Sequence, residues 1–166
     1  MTSSPVRRVG QFWRHASARV TPAERARAER VLGQLAPFFL ELKANDQRHG
    51  LDVLETVMAL ERQPSELLQQ AALLHDLGKR EAHFSVIERS VTVFLRAVSP
   101  RTLNALQRSR PAFARRYGIY ADHARIGAER LRVAGAIDLA AIVAEHHAKD
   151  PQSEVTRRLQ RADGRN

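Results

Sequence analysis

The chain has 166 residues, no cysteine, and a formal net charge of +9 from 27 basic and 18 acidic residues. This length, with 43% hydrophobic residues, supports one globular domain with a substantial core and argues against disorder. The absence of cysteine excludes disulfides, thiolate zinc sites and cysteine nucleophiles, so any bound metal must be held by nitrogen and oxygen atoms.

The first predicted element is an N-terminal arm, residues 1–20, which is polar and basic apart from one apolar turn around Phe12 and Trp13. Residues 21–166 form the predicted domain. Neither a signal-peptide core nor a run of about 20 apolar residues is present in the sequence. We therefore expect a soluble, cytoplasmic protein with no membrane partner.

The first helices are marked by their start signals. Thr21, Pro22 and Glu24 have the spacing of a capping box with proline at the first helical position, which predicts a helix from Thr21 to about Gln34. Pro37 then interrupts the chain, and the apolar spacing predicts a longer helix from about Asn45.

The remaining elements also have helical periodicity. Ser65 is the predicted N-cap of a helix that ends near Gly78, and a looser stretch is expected from Pro111 to Gly118. Further helices are predicted over 85–98, 99–109, 120–134, 137–148 and 153–163. No segment alternates like a strand, so the sequence predicts an all-α, single-domain bundle of about seven to eight helices.

The pair His75-Asp76 is the strongest functional signal. It directly follows the apolar turn 71–74, so both polar side chains should be drawn inward with the apolar face. A buried charge needs a partner, and metal coordination is one established answer. Imidazole together with carboxylate favours one or two divalent transition metals, such as iron, manganese, cobalt, nickel or zinc, over calcium or magnesium.

Other candidate ligands lie in separate predicted helices: His49, His123, His146 and Asp163. His123 and His146 adjoin apolar helical runs, so the same inward argument applies to them. Consecutive helical residues project about 100° apart, so one metal is not expected to take both His146 and His147. We therefore assign His147 to a contact with the ligand set or the substrate.

The order and spacing of these residues resemble the HD-domain superfamily of metal-dependent phosphohydrolases, over roughly residues 45–163. The resemblance implies a helical bundle of the HD-domain type. It also implies that His49, His75, Asp76 and Asp163 hold one metal. In binuclear members, Asp76 would bridge to a second metal at His123 and His146. The pattern His-Asp-x-Gly-Lys places Lys79 where many members carry a basic residue that faces the phosphate.

Three departures narrow the resemblance. No Gly-Tyr-Pro follows His146 and His147, unlike the cyclic-dinucleotide phosphodiesterases. Asn45, four residues before His49, does not favour an additional carboxylate-supported metal. The step from His123 to His146 and the closing Ala-Asp pair are more similar to the small bacterial family that hydrolyses diadenosine tetraphosphate.

The resemblance implies a phosphomonoesterase or phosphodiesterase that acts on a nucleotide or another small phosphate ester. Asp76, Lys79 and His147 are the expected catalytic residues, with Arg80 or Arg125 as further phosphate contacts. The alternatives are a diadenosine tetraphosphate-type hydrolase, a di-iron oxygenase and a non-catalytic nucleotide-sensing module.

Arginine is scattered along the chain and only 5% of residues are aromatic, which does not favour direct nucleic-acid binding. Substrate and oligomeric state stay open.

Overall fold

A computed structural model describes residues 19–84 and 86–166, and these residues form helices without any β-strand. The predicted all-α, single-domain fold is confirmed. The helices are α1 Pro22–Leu32, α2 Ala36–Leu40, α3 Ala44–Leu60, α4 Glu66–Leu74, α5 Val86–Val98, α6 Pro100–Ser109, α7 Pro111–Ala121, α8 His123–Val133, α9 Ile137–Glu145 and α10 Glu154–Asp163. Two 3₁₀ turns, Gly33–Leu35 and Leu77–Ala82, join them. Of the predicted N-terminal arm, only Arg19 and Val20 lie within the described residues.

The predicted helix starts are present as hydrogen bonds. At the start of α1, the Thr21 hydroxyl accepts from the Glu24 N–H at 3.2 Å, and the Glu24 carboxylate accepts from the Thr21 N–H at 2.8 Å. The Ser65 hydroxyl accepts from the Leu68 N–H at 3.3 Å and caps α4. These bonds satisfy N–H groups that have no partner within their own helix.

Two helical segments differ from the sequence prediction. Ala36–Leu40 is a short helix with Pro37 in its first turn, and Pro111–Ala121 is a full helix where a looser stretch was expected. Proline is tolerated at the first helical positions, because the N–H that it lacks would be unpaired there. In both cases proline starts a helix instead of interrupting one.

The predicted ends of α4 and α9 are also too late. Helix α4 ends at Leu74 instead of near Gly78, and α9 ends at Glu145 instead of at 148. His75 and His146 are the C-cap residues of these two helices. Each of these histidines is the residue at which the regular helix ends. The next residue, Asp76 or His147, is therefore not bound to the helical 100° step and can turn towards the same point as the histidine before it.

The core lies between α3, α4, α8, α9 and α10. Its largest fully buried side chains include Leu51, Leu54, Leu74, Leu131 and Leu159. No described helix is long and apolar enough to cross a bilayer.

Helices α3 and α4 approach each other closely at Gly50. A Cβ atom at Gly50 would lie 2.9 Å from the Leu73 carbonyl oxygen, which is closer than such contacts normally come. Glycine at this position therefore lets the helix that carries His49 lie directly against the helix that leads to His75.

Helices α5, α6 and α7 form a lobe, residues 86–121, inserted between the turn Leu77–Ala82 and α8. Within the lobe, α5 packs on α6 and α6 packs on α7, while α7 packs on the turn Leu77–Ala82. The lobe is therefore attached to the core mainly through α7. We refer to it below as the α5–α7 lobe.

Candidate metal centre

The predicted ligands come from five separate parts of the fold and meet at one place. Most of them lie at helix ends, where the backbone can turn the side chain towards a common point. His75 and His146 are C-cap residues, while His123 is the first residue of α8 and Asp163 the last of α10. His49 belongs to α3, and Asp76 directly follows His75.

Four of these side chains surround a first position. His49 Nε2 lies 3.2 Å from His75 Nε2 and 3.7 Å from Asp76 Oδ2. Asp163 Oδ1 lies 3.1 Å from His49 Nε2 and 3.7 Å from His75 Nε2. The structure thus brings together the four residues that the resemblance assigns to one metal.

The other carboxylate oxygen of Asp76 faces a second group. Asp76 Oδ1 lies 3.3 Å from His123 Nε2 and 3.8 Å from His146 Nε2. Its Oδ2 belongs to the first group, 3.6 Å from His75 Nε2. Asp76 therefore stands between the two groups with one oxygen towards each, which is the arrangement of a bridging carboxylate.

His147 joins the second group, contrary to the sequence argument that kept it apart from His146. Its Nε2 lies 3.1 Å from His123 Nε2, and ligand atoms of Asp76, His123, His146 and His147 all lie within 4.8 Å of one another. The 100° step applies inside a helix, but α9 has already ended at Glu145. We therefore count His147 among the candidate metal ligands.

The site passes two tests for a bound cation. Asp76 Oδ1 and His146 Nε2 are buried and have no hydrogen-bond partner among the described residues, an arrangement that is costly unless something else satisfies them. In addition, ligand atoms about 2.1 Å from one ion lie about 3.0–3.4 Å from each other in octahedral or tetrahedral sites. The shortest separations, 3.1 and 3.2 Å in the first group and 3.1 and 3.3 Å in the second, agree with this spacing.

Backbone carbonyls orient three of the imidazoles. Nδ1 donates a hydrogen bond to the carbonyl three residues earlier in His75 at 3.1 Å, in His123 at 2.7 Å and in His146 at 2.6 Å. Because a carbonyl can only accept, each Nδ1 carries the proton, and Nε2 presents its lone pair to the site. Such outer hydrogen bonds fix the tautomer and ring orientation of metal-binding histidines.

Asp76 is held as a carboxylate. Burial opposes its ionisation, but the Lys79 ammonium and the adjacent His75 outweigh burial, so the pKa of Asp76 lies well below its usual range. Lys79 Nζ lies 2.5 Å from Asp76 Oδ2. Burial also disfavours the charged form of Lys79, yet Asp76 outweighs it and raises the pKa of Lys79. At neutral pH the site therefore contains an anion and a cation side by side.

The pKa values of three histidines in the site are shifted, in two directions. Burial lowers the pKa of His75 to about 4, and burial together with His146 and His123 lowers the pKa of His147 to about 4. Both rings are neutral at pH 7, which is the form that binds metals. Burial lowers the pKa of His49, but Asp163 and Asp76 outweigh it, so the pKa ends above its ordinary value of 6.5. Protons therefore compete with a metal first at His49.

We expect the metal-free protein to lose about 3 kcal/mol of unfolding free energy through His75 as pH falls from about 6.5 to 4. In this window the unfolded chain protonates His75, while the folded chain, with a pKa of about 4, largely does not. His49 has a raised pKa, so its contribution is already complete below pH 6.5. Urea unfolding at pH 7 and pH 4 in the presence of a chelator measures the difference.

The variant His75→Gln should show a smaller loss of stability between the two pH values, by about 3 kcal/mol. Exposed His83, which has φ of 51°, supplies the matched control His83→Asn, because asparagine tolerates this backbone conformation. The control should keep the wild-type difference. An unchanged difference in His75→Gln would show that His75 does not drive the pH dependence.

Sequence reasoning missed two residues near the site. Asp46 is only 4% exposed, and its charge contributes to the raised pKa of Lys79. Tyr120 lies with its ring centroid 5.9 Å from that of His123 and 6.0 Å from Lys79 Nζ. Asp46 stands three residues before His49 and so shares its helix face, but the surrounding polar run hid this signal.

Comparisons with known proteins agree with the geometry. A sequence model of the family described as "Cas3, HD domain" matches residues 24–166. The match includes every candidate ligand named above. No curated protein and no solved structure gives a significant match.

Proposed function

The chain belongs to the Cas3 HD-domain family, and thus to the HD-domain superfamily of metal-dependent hydrolases, and from this premise we propose that it cleaves phosphodiester bonds in nucleic acid. The HD domain of Cas3 is a nuclease. A nucleic-acid substrate differs from the small, nucleotide-like substrate that the sequence alone predicted. The observation that carries the hydrolytic part is the pair of ligand groups joined by the two oxygens of Asp76.

The ligand set defines where cations would bind. His49, His75 and Asp163 would hold one ion and His123, His146 and His147 the other, with Asp76 shared between them. Two divalent cations would supply Lewis-acid activation of water and of a phosphoryl oxygen. Nitrogen and oxygen donors of this kind fit manganese, iron, cobalt, nickel or zinc.

Lys79 supplies a fixed positive charge beside the ligand groups. Its ammonium lies 2.5 Å from Asp76 Oδ2 and its side chain is 19% exposed, so it borders both the ligand set and solvent. Negative charge develops on the phosphoryl oxygens as water attacks phosphorus, and a preorganised cation stabilises that charge. We propose that Lys79 positions and neutralises the scissile phosphate.

His147 is better placed as a ligand than as the catalytic or substrate-contacting residue expected from the sequence. Its Nε2 lies 3.1 Å from His123 Nε2, so the two ring nitrogens face the same position in the second group. Among the histidines of the two ligand groups, His147 is the most exposed to solvent. His147 is therefore the member of the second group that lies nearest to incoming solvent.

The test uses two small phosphate esters and one single-stranded oligonucleotide as substrates. After reconstitution with Mn²⁺, we expect hydrolysis of bis(p-nitrophenyl) phosphate, weaker hydrolysis of p-nitrophenyl phosphate, and cleavage of a 15-nucleotide single-stranded oligonucleotide. A chelator should remove all three activities, and added Mn²⁺ should restore them.

Other outcomes would redirect the proposal. Hydrolysis of the small esters without strand cleavage would leave a phosphohydrolase of small substrates, as expected from the sequence. Iron-loaded protein that consumes dioxygen but leaves all three esters intact would favour oxygenation. A metal-replete protein that is inactive in every assay would contradict the enzymatic proposal.

A further inference from the structure

The positive charge of the chain is concentrated in the α5–α7 lobe. Residues 86–121 contain seven arginines and one acidic residue, Glu88. Residues 19–84 contain nine basic and ten acidic residues, and residues 122–166 contain eight and seven. The arginines that appear scattered in the sequence therefore leave most of the domain near neutrality and give the lobe a large positive excess.

The only acidic residue of the lobe is already engaged. Glu88 Oε2 accepts from Arg116 Nη2 at 2.9 Å. Arg116 also donates to the His83 carbonyl at 2.7 Å and to the Ala82 carbonyl at 3.2 Å. Arg116 thus fixes α7 to the end of the turn that carries Lys79.

Five arginines of the lobe are exposed and have no acidic partner among the described residues: Arg96 on α5, and Arg101, Arg108, Arg110 and Arg115 on or beside α6 and α7. Arg101 and Arg108 are seven residues apart on α6, so they lie on nearly the same face. Leu103, about 200° from Arg101 around the helix, is 3% exposed and marks the opposite face as the packed one. The two guanidinium groups therefore project on the side of α6 away from the rest of the lobe.

Helix α7 leads from these arginines to the candidate metal centre. Tyr120, in its last turn, lies against His123, and the Lys79 ammonium lies over the Tyr120 ring. With a rise of about 1.5 Å per residue, Arg115 stands about 12 Å and Arg110 about 20 Å along the chain from His123. This distance corresponds to several nucleotides of an extended strand, so a bond held at the centre would leave neighbouring phosphates near α7.

We propose that the α5–α7 lobe binds the phosphate backbone of a single-stranded nucleic acid and guides it to the metal centre. This inference rests on the proposed function. Arginine forks match phosphate geometry, and a cationic surface follows a flexible strand without reading its sequence. The lobe also carries Phe94, a residue that is 62% exposed, as an aromatic side chain of the kind on which unpaired bases stack.

The test measures binding without catalysis. The probe is a fluorescein-labelled 15-nucleotide oligo(dT), and its anisotropy is followed at several KCl concentrations in the presence of a chelator. The lobe variant is Arg101→Gln/Arg108→Gln/Arg110→Gln/Arg115→Gln. The control Arg25→Gln/Arg30→Gln/Arg62→Gln/Arg132→Gln removes the same charge from exposed positions outside the lobe.

The lobe variant should bind on the order of 100-fold more weakly at 100 mM KCl, and the slope of log affinity against log salt should fall by about 3, or about 0.7 per lost phosphate contact. The control variant should keep the wild-type slope. The double variant Arg108→Gln/Arg115→Gln should show about half of the change in slope. Circular dichroism melting verifies that each variant is folded.

Each result separates this inference from the proposed function. Equal weakening in the lobe and control variants would overturn the inference, because the attraction would then be diffuse. Absence of strand binding by the wild type, or equal affinity for a 15-base-pair duplex, would overturn it as well. The hydrolytic part of the proposed function is judged separately by hydrolysis of bis(p-nitrophenyl) phosphate by the wild-type protein with Mn²⁺, which needs no contact with the lobe.

Discussion

Replacing Asp76 by asparagine is expected to abolish the loading of both metals and to lower hydrolysis of bis(p-nitrophenyl) phosphate at least about 1,000-fold. The two oxygens of Asp76 face different ligand groups, at 3.6 Å from His75 Nε2 and 3.3 Å from His123 Nε2. An amide of the same shape removes the shared negative charge and turns an N–H₂ group towards one of the two positions. Elemental analysis after incubation with Mn²⁺ and desalting measures the metal content.

The matched control is Asp150→Asn, an exposed position in the loop between α9 and α10. It should keep wild-type metal content and activity. An Asp76→Asn protein that is metal-replete and active would contradict the bridging role of Asp76.

The loss of metal can be separated from a loss of stability. Asp76→Asn leaves the partly buried Lys79 ammonium without its carboxylate, and breaking one side of such a pair costs up to about 3–5 kcal/mol, the value for a fully buried pair. The double variant Asp76→Asn/Lys79→Met removes both charges and should recover much of that stability. It should remain unable to load metal, which shows that the ligand defect is not a consequence of unfolding.

The sequence predicted those parts of the site that follow from local rules. The capping box at Thr21, the N-cap Ser65 and the periodicities located the helices, and polar residues on apolar helical faces indicated which histidines turn inward. His75, His123 and His146 are all buried, as that argument requires. His49 is only partly buried and lies in a polar run, so its inclusion depended on the family pattern.

The remaining features depend on where a helix ends and on what lies across the fold. The sequence predicted that α9 runs to residue 148, and for that reason His147 was not expected to share a metal with His146. In the structure their ring centroids are 4.0 Å apart. Helix boundaries are the least certain part of a sequence-based prediction because the last turn is set by tertiary contacts. The charge of the α5–α7 lobe was visible as residue counts, but its significance required knowing that residues 86–121 form one attached unit.

Gly78→Ala is the second substitution for which we expect a large effect. A Cβ atom at Gly78 would lie 2.0 Å from the His123 carbonyl oxygen and 2.8 Å from the Gly127 backbone nitrogen. Neither atom is at the end of a flexible side chain, so the turn and α8 must separate. Overpacking of this kind costs about 3 kcal/mol, which for a chain of this size lowers Tm by about 6–12 °C.

The separation of the turn from α8 should also move the second ligand group away from the first. Gly78 lies in the turn that follows Asp76, whereas His123 begins α8, so widening this contact moves His123 away from Asp76 Oδ1. The first group does not include α8, because its ligands come from α3, α4, α10 and Asp76 itself. We therefore expect Gly78→Ala protein to retain about one metal per chain, against the two that we expect for the wild type.

A second glycine distinguishes this close contact from a general effect of alanine. Gly118 lies inside α7, and a Cβ atom there would meet nothing within 4 Å. Gly118→Ala should therefore stabilise the protein by about 0.5–1 kcal/mol, because alanine loses less backbone entropy in a helix. Opposite signs of the Tm change in the two variants, with one metal lost only from Gly78→Ala, would show that the approach of the turn to α8 assembles the second ligand group. Equal and small changes in both variants would show that the turn can shift without cost and that this contact does not position His123.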